Sequence, residues 1–167
     1  MGGLSFYMSL SISIITRLRH QHETLEELII GLSEEQLKLR TDPDKWSAFD
    51  NIAHLAAYQG VFIHRLEQLR QEKSPVFGRY VAEDDPLFPS FLASPLNVLK
   101  KSIAVNRSFI IGFLEGLDEN AICHTGLHPL YGPLTTPQWT EFFLLHEAHH
   151  LFAIFKLAQA LRGALRQ

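Results

Sequence analysis

Near its C-terminus the chain carries His146-Glu147-Ala148-His149-His150, an H-E-x-x-H pattern. Imidazoles four residues apart on a helix lie one turn apart on the same face, so His146 and His150 can grip a single metal ion. Zinc proteases share this spacing but take a further ligand from downstream. Here the segment from Leu151 to Gln167 contains no His, Asp, Glu or Cys, which disfavours a protease of that kind. A third ligand must come from upstream, where the candidates are His20, His22, His54, His64, His124 and His128.

Four long helical patterns are available to position these residues. The first runs from Leu4 to Ile30 and stops at Gly31, a left-handed cap. A short helical turn follows, with Ser33 and Gln36 spaced as a capping box, and Thr41-Asp42-Pro43-Asp44 closes it. Ser47 and Asp50 open the second helix, whose apolar set Ile52, Leu55, Phe62, Leu66 and Leu69 keeps helical spacing to about Glu72. Lys73 to Ala93 is rich in proline and reads as a long loop. Ser94-Pro95 starts the third helix, which Gly116 and Asp118 end, and Thr136-Pro137 starts the fourth, which runs nearly to Arg162. The stretch between them, with Gly126, Pro129 and Gly132, reads as irregular, and almost nothing in the chain reads as strand.

Amphipathic helices must bury their stripes against one another, so the expected fold is all-α, a four-helix bundle occupying residues 1–167 as one domain. The short link between the first two helices makes them antiparallel. The long link between the second and third lets the chain cross the bundle and leaves those two parallel. The expected topology is up-down-down-up. In the fourth helix the inward stripe reads Trp139, Phe143, His146, His150, Ala153, Leu157, which puts both histidines in an apolar seam. Buried imidazoles are costly unless coordinated or hydrogen-bonded. The best third ligand is His54, in the second turn of a helix that runs opposite to the fourth. At 1.5 Å per residue, His146 and His150 lie roughly 15 to 21 Å along theirs, so a level match depends on the axial offset.

A length of 167 residues with 46% apolar and 20% charged residues allows one sizeable core. A net charge of −3 with interspersed signs provides no basic surface for nucleic acid. The apolar run from Leu4 to Ile15 lacks a basic start and is too short to span a bilayer. Phe6 stands where a myristoylation signal has Ser or Thr, and Met8 is an alternative start. The single Cys123 rules out an intrachain disulfide and fits the cytoplasm.

Trp46-Ser47 with Ile52-Ala53-His54-Leu55, then Arg107, then His128 with Gly132-Pro133-Leu134-Thr135, and finally His146-Glu147-x-x-His150-Leu151 occur in an order that resembles the DinB/YfiT-like superfamily. The resemblance covers the chain from Leu32 to the end of the last helix. It implies an up-down-down-up bundle with a metal site built from His54, His146 and His150. That family often has Asp after the first of the last-helix histidines and Gln three residues after the second, where this chain has Glu147 and Ala153. Related members include thiol S-transferases that use low-molecular-weight thiols and a mycothiol-dependent isomerase, and many have no assigned reaction.

Two further side chains are catalytic candidates. Glu147, about 100° around the helix from His146, serves as a base, accepts a hydrogen bond behind a ligand, or faces solvent. His128 shuttles protons or meets substrate at the mouth of the site, or is an ordinary loop histidine. Asp50 is placed to accept from His54, although its position in a first helical turn already accounts for it. Trp46 and Trp139 read as packing residues, and His20, His22, His64 and His149 receive no role. The expectation is a metal-dependent enzyme in which Zn or Ni activates a low-molecular-weight thiol or water against a small-molecule substrate. The competing expectation is a non-catalytic, stress-associated binding or structural bundle. Either can be a homodimer paired through outward positions such as Phe142 and Phe152.

Overall fold

The computed structural model describes residues 10–164. The expected helix start at Leu4, and Met8, lie outside the described residues. The first long helix is not continuous: α1 (Ile12–His20) passes through a 3-10 turn (Gln21–Glu23) into α2 (Thr24–Ile29), and Gly31 with φ +79 ends it as a left-handed cap. The turn brings Gln21 inward, where its amide donates to the Leu144 carbonyl at 2.8 Å. Apolar periodicity does not register so short a change of pitch.

Both anticipated capping boxes form. Ser33 and Gln36 cap α3 (Glu34–Leu37), and Ser47 and Asp50 cap α4 (Ala48–Gln71). A third one, between Thr135 and Gln138, starts α7 (Thr136–Ala164). The helix after the crossover differs in detail. Pro95 rather than Ser94 is the N-cap of α6 (Leu96–Glu115), and the orphan Leu96 N–H donates to the Glu34 carboxylate at 2.8 Å.

Side-chain pairings fix the direction of each helix. Arg17 meets Glu141, and Arg162 donates to the carbonyls of Leu28 and Ile30, so α1 and α2 run parallel to α7. Asn51 meets His150 while Phe62 stacks on Phe143, so α4 runs opposite to α7. Arg19 meets Glu115 and Lys100 meets Glu26, so α6 runs opposite to the first helix. The result is up-down-down-up, with α4 and α6 parallel.

The crossover from α4 to α6 holds more structure than its composition suggests, namely a 3-10 turn (Ala82–Asp84) and α5 (Phe88–Leu92). The stretch before α7 is not irregular either. It forms an antiparallel hairpin of β1 (Thr125–His128) and β2 (Gly132–Thr135), with Gly132 at φ +73 beside the turn. Strands of four residues, one containing proline, carry no alternation to read. The hairpin is anchored by tertiary contact: Phe77 N–H donates to the Leu127 carbonyl and Leu127 N–H to the Pro75 carbonyl.

The core divides into two apolar clusters. One gathers Leu25, Leu37, Phe49, Ile52, Leu99, Ile103 and Ile154. The other gathers Leu18, Phe62, Leu66, Ile110, Leu114, Trp139 and Phe143. Between them, at the level of His54 on α4, Arg107 on α6 and His146 to His150 on α7, lies a polar layer. Among the described residues no helix is long and apolar enough to cross a membrane.

Candidate metal centre

The capping box at Ser47 fixes where α4 begins and so places Asn51, His54 and Tyr58 on one face. The capping box at Thr135 does the same for α7, and the antiparallel approach brings His54 level with His146 and His150. The Nε2 atoms of His54 and His146 are 3.0 Å apart, and one ligand nitrogen from each of the three rings lies within 4.8 Å of the others. Nitrogens bound to one zinc at 2.0 to 2.1 Å stand roughly 3.3 Å apart at the tetrahedral angle, so the set closes on an ion with small adjustments.

Hydrogen bonds define part of the donor chemistry. Asn51 donates through Nδ2 to the Ser47 carbonyl at 2.8 Å, which leaves its Oδ1 facing His150 Nδ1 at 2.8 Å. His150 therefore carries its proton on Nδ1 and offers the Nε2 lone pair. His54 Nδ1 and His146 Nδ1 are buried without a hydrogen-bond partner among the described residues. The Nε2 atoms of the same two rings face each other at 3.0 Å, where two lone pairs repel unless one ring carries a proton there or both share a cation. Burial pushes the imidazolium pKa values down to about 4 for His54, about 2 for His146 and about 3 for His150, with neighbouring histidines adding to it for all three and the Glu83 carboxylate opposing it at His54. All three are neutral at pH 7, the form that binds a metal.

The walls are aromatic. Trp46, Tyr80 and Phe88 surround His54, and Tyr58 lies 4.0 Å from His146 between ring centres. Two acids of the crossover hold this lining, Glu83 accepting from Trp46 Nε1 and Asp85 from the Tyr80 hydroxyl. Trp46 thus lines the centre rather than merely packing near a helix start. Trp139 is the packing residue expected, fully buried with its Nε1 donating to the Gly126 carbonyl. A cavity of about 630 Å³ opens beside His146, with Tyr131, Leu134, Phe142, Leu145 and His149 among its walls.

The two catalytic candidates lie elsewhere. Glu147 does not face solvent. It is 1% exposed, and its carboxylate accepts from Arg107 and Gln21 on the side of α7 away from His54. The apolar pattern centres the inward stripe on the histidines, whereas the deepest line of α7 runs Thr140, Leu144, Glu147, Leu151, Ile154 and Ala158. A helix apolar on most of its circumference hides which face is deepest. His128 sits at the hairpin turn, where its Nδ1 accepts from the N–H groups of Leu130 and Tyr131 and its ring stacks on Tyr131. Asp50 pairs with Arg40 instead of His54. His20 pairs with Glu23 at the surface, and His124 Nδ1 lies 2.6 Å from the Leu69 carbonyl. Exposed His149 stands edge-on to His150, a placement its sequence position did not reveal. Asn51 was also missed. The available signal was a polar side chain three residues before His54 on the same face.

The family model described as DinB superfamily matches residues 17–154. A solved structure described as TT2238, a four-helix bundle protein, is 22% identical over 85% of this chain and 95% of its own, with a TM-score of 0.61. YfiT from Bacillus subtilis, described as a probable metal-dependent hydrolase with an unusual four-helix bundle topology, is 17% identical over 89% of this chain and 86% of its own, with a TM-score of 0.65. No curated protein matches the chain.

Proposed function

The chain belongs to the DinB superfamily, and from that premise we propose that it is a cytoplasmic metal-dependent enzyme whose ion is held by His54, His146 and His150. The observation that carries this reading is the convergence of three neutral imidazoles, His54 buried and His146 and His150 half-buried, from two antiparallel helices. Imidazoles bring no charge, and three of them leave a coordination position open, the arrangement of a catalytic site. Zinc or nickel suits such a donor set. A bound divalent ion supplies Lewis acidity that activates water or a low-molecular-weight thiol as a nucleophile. Water is favoured by the hydrolase description of YfiT. The thiol alternative rests on the family's S-transferases.

The chain's own residues bind and orient. The cavity beside His146 takes the small-molecule substrate against Tyr131, Leu134, Phe142 and Leu145, with Gln138 and the Glu141 carboxylate, itself paired with Arg17, as polar groups on the same wall, so a mostly apolar body without a negative charge fits best. Asn51 holds the proton on Nδ1 of His150. Trp46, Tyr58 and Tyr80 keep bulk water off the rings. Glu147 is committed to Arg107 and Glu141, on the same cavity, to Arg17, which leaves exposed His149 on the cavity wall as the acceptor for a proton released at the nucleophile. His128 contributes through Tyr131, the cavity wall on which it stacks.

Metal analysis by mass spectrometry on wild type and His54→Ala tests the reading. Near one equivalent of transition metal in the wild type, lost in the variant, is expected. Absence of metal from both after zinc or nickel is added back would sink it. A second reading, a non-catalytic dimer whose metal staples the fold, draws on the exposed Leu145, Phe152 and Phe155 of α7. In that case His146→Ala melts far below the wild type.

A further inference from the structure

The polar layer has a second half that the metal site does not use. Glu147 directly follows His146, yet its carboxylate points to the other side of α7, accepting from Arg107 Nη2 and, at 2.8 Å, from Gln21 Nε2. Arg107 and Glu147 are each 1% exposed. Arg107 also donates to the Leu18 carbonyl in the last turn of α1, at 3.1 Å, and Gln21 to the Leu144 carbonyl of α7. One carboxylate of α7 is thereby tied to α6 and to the turn after α1. Buried ion pairs stabilise a fold no better than well-packed apolar residues, so this cluster needs another account.

Helix geometry provides it. Successive residues advance about 100°, so His146 lies about 100° to one side of Glu147 and His150 about 60° to the same side. Fixing the direction of Glu147 fixes the direction of both histidines. Apolar packing alone does not do so, because α7 carries apolar side chains around most of its circumference, including exposed Leu145, Phe152 and Phe155. We propose that the Arg107–Glu147–Gln21 cluster is the positioning device of the metal centre: its directional hydrogen bonds lock the rotation of α7 so that His146 and His150 face His54. The inference rests on the metal reading above. None of the three residues touches metal or substrate.

Two variants of the full-length protein separate positioning from stability, with melting temperature of the metal-free form and zinc affinity by chelator competition as readouts. Arg107→Met combined with Glu147→Leu replaces the pair by apolar volume. It should melt within a few degrees of wild type yet bind zinc at least about tenfold more weakly. Glu147→Gln keeps an acceptor for Arg107 but removes the counter-charge. It should melt lower yet bind zinc within about threefold of wild type. Wild-type affinity in the double variant, or affinity falling in step with melting in Glu147→Gln, overturns the proposal, and if the double variant does not fold, Gln21→Leu takes its place, where weaker zinc binding is expected and wild-type affinity overturns the proposal. A wild type that binds no zinc refutes the metal reading itself, which the variants' behaviour relative to a zinc-binding wild type does not.

Discussion

Asn51 Nδ2 is committed to the Ser47 carbonyl, so its oxygen has His150 Nδ1 as partner, and a single amide sets both the tautomer and the angle of a ligand ring. Replacing it by Leu keeps the volume and removes the acceptor. Zinc affinity should fall about 10- to 100-fold, measured by chelator competition, whereas unchanged affinity would mean that packing alone orients the ring. The three ligand rings also make stability depend on pH. Unfolded, they titrate near 6.5, and folded, burial holds them at about 4, 2 and 3. Between those values the unfolded chain binds more protons, so the rings' contribution to the stability of the metal-free protein is fully present above about pH 6.5 and is lost progressively as pH falls, down to about 2. Thermal melts at pH 7.5 and 5 should show the drop, and equal midpoints would mean that the rings are solvated. The three-histidine cluster was legible because His146 and His150 share a helix face and His54 stands on a helix that runs opposite to theirs, the histidine that the family resemblance also implied. The direction of Glu147 was not legible, since a neighbour 100° away faces a different partner on whichever side the helix turns.

At the scale of elements, what could be read was what local chemistry specifies. Ser33 with Gln36 and Ser47 with Asp50 marked two helix starts correctly, because a capping box satisfies its own backbone donors without help from the rest of the fold. The hairpin could not be read, because Phe77 and Leu127 hold it across the crossover and neither strand is patterned. Its closest approach is at Gly126, where an added Cβ would come within 2.8 Å of Trp139 Nε1 and nearer still to the Phe77 ring. Gly126→Ala should therefore destabilise by about 1–3 kcal/mol in denaturant unfolding. It should also shift Trp139 fluorescence, while an unperturbed variant would show that the hairpin rides free of α7. The break at Gln21–Glu23 was hidden for a related reason: it serves a polar contact across the bundle, with Glu147, that no nearby residue announces.

For the whole molecule, the outer face of α7 is the surface in question. Phe152 is 61% exposed, with Leu145 and Phe155 beside it, an apolar stripe suited to self-association. On the second reading, sedimentation equilibrium at tens of micromolar gives twice 19.0 kDa for the wild type and the monomer mass for Phe152→Glu, and a monomeric wild type removes that reading. The parallel arrangement of α4 and α6 has a different kind of consequence. A helix of 24 residues is about 36 Å long, yet the chain returning along it, residues 72–95, is of similar residue count and reaches roughly 80 Å when extended. About half of that reach is slack, and the slack is where Tyr80, Glu83, Asp85 and Phe88 are found. The bundle therefore owns the three histidines while a spare length of tether owns much of the aromatic wall around them. A tether can be replaced without moving a helix, so the aromatic lining beside the three histidines is free to vary while their mutual distances stay fixed.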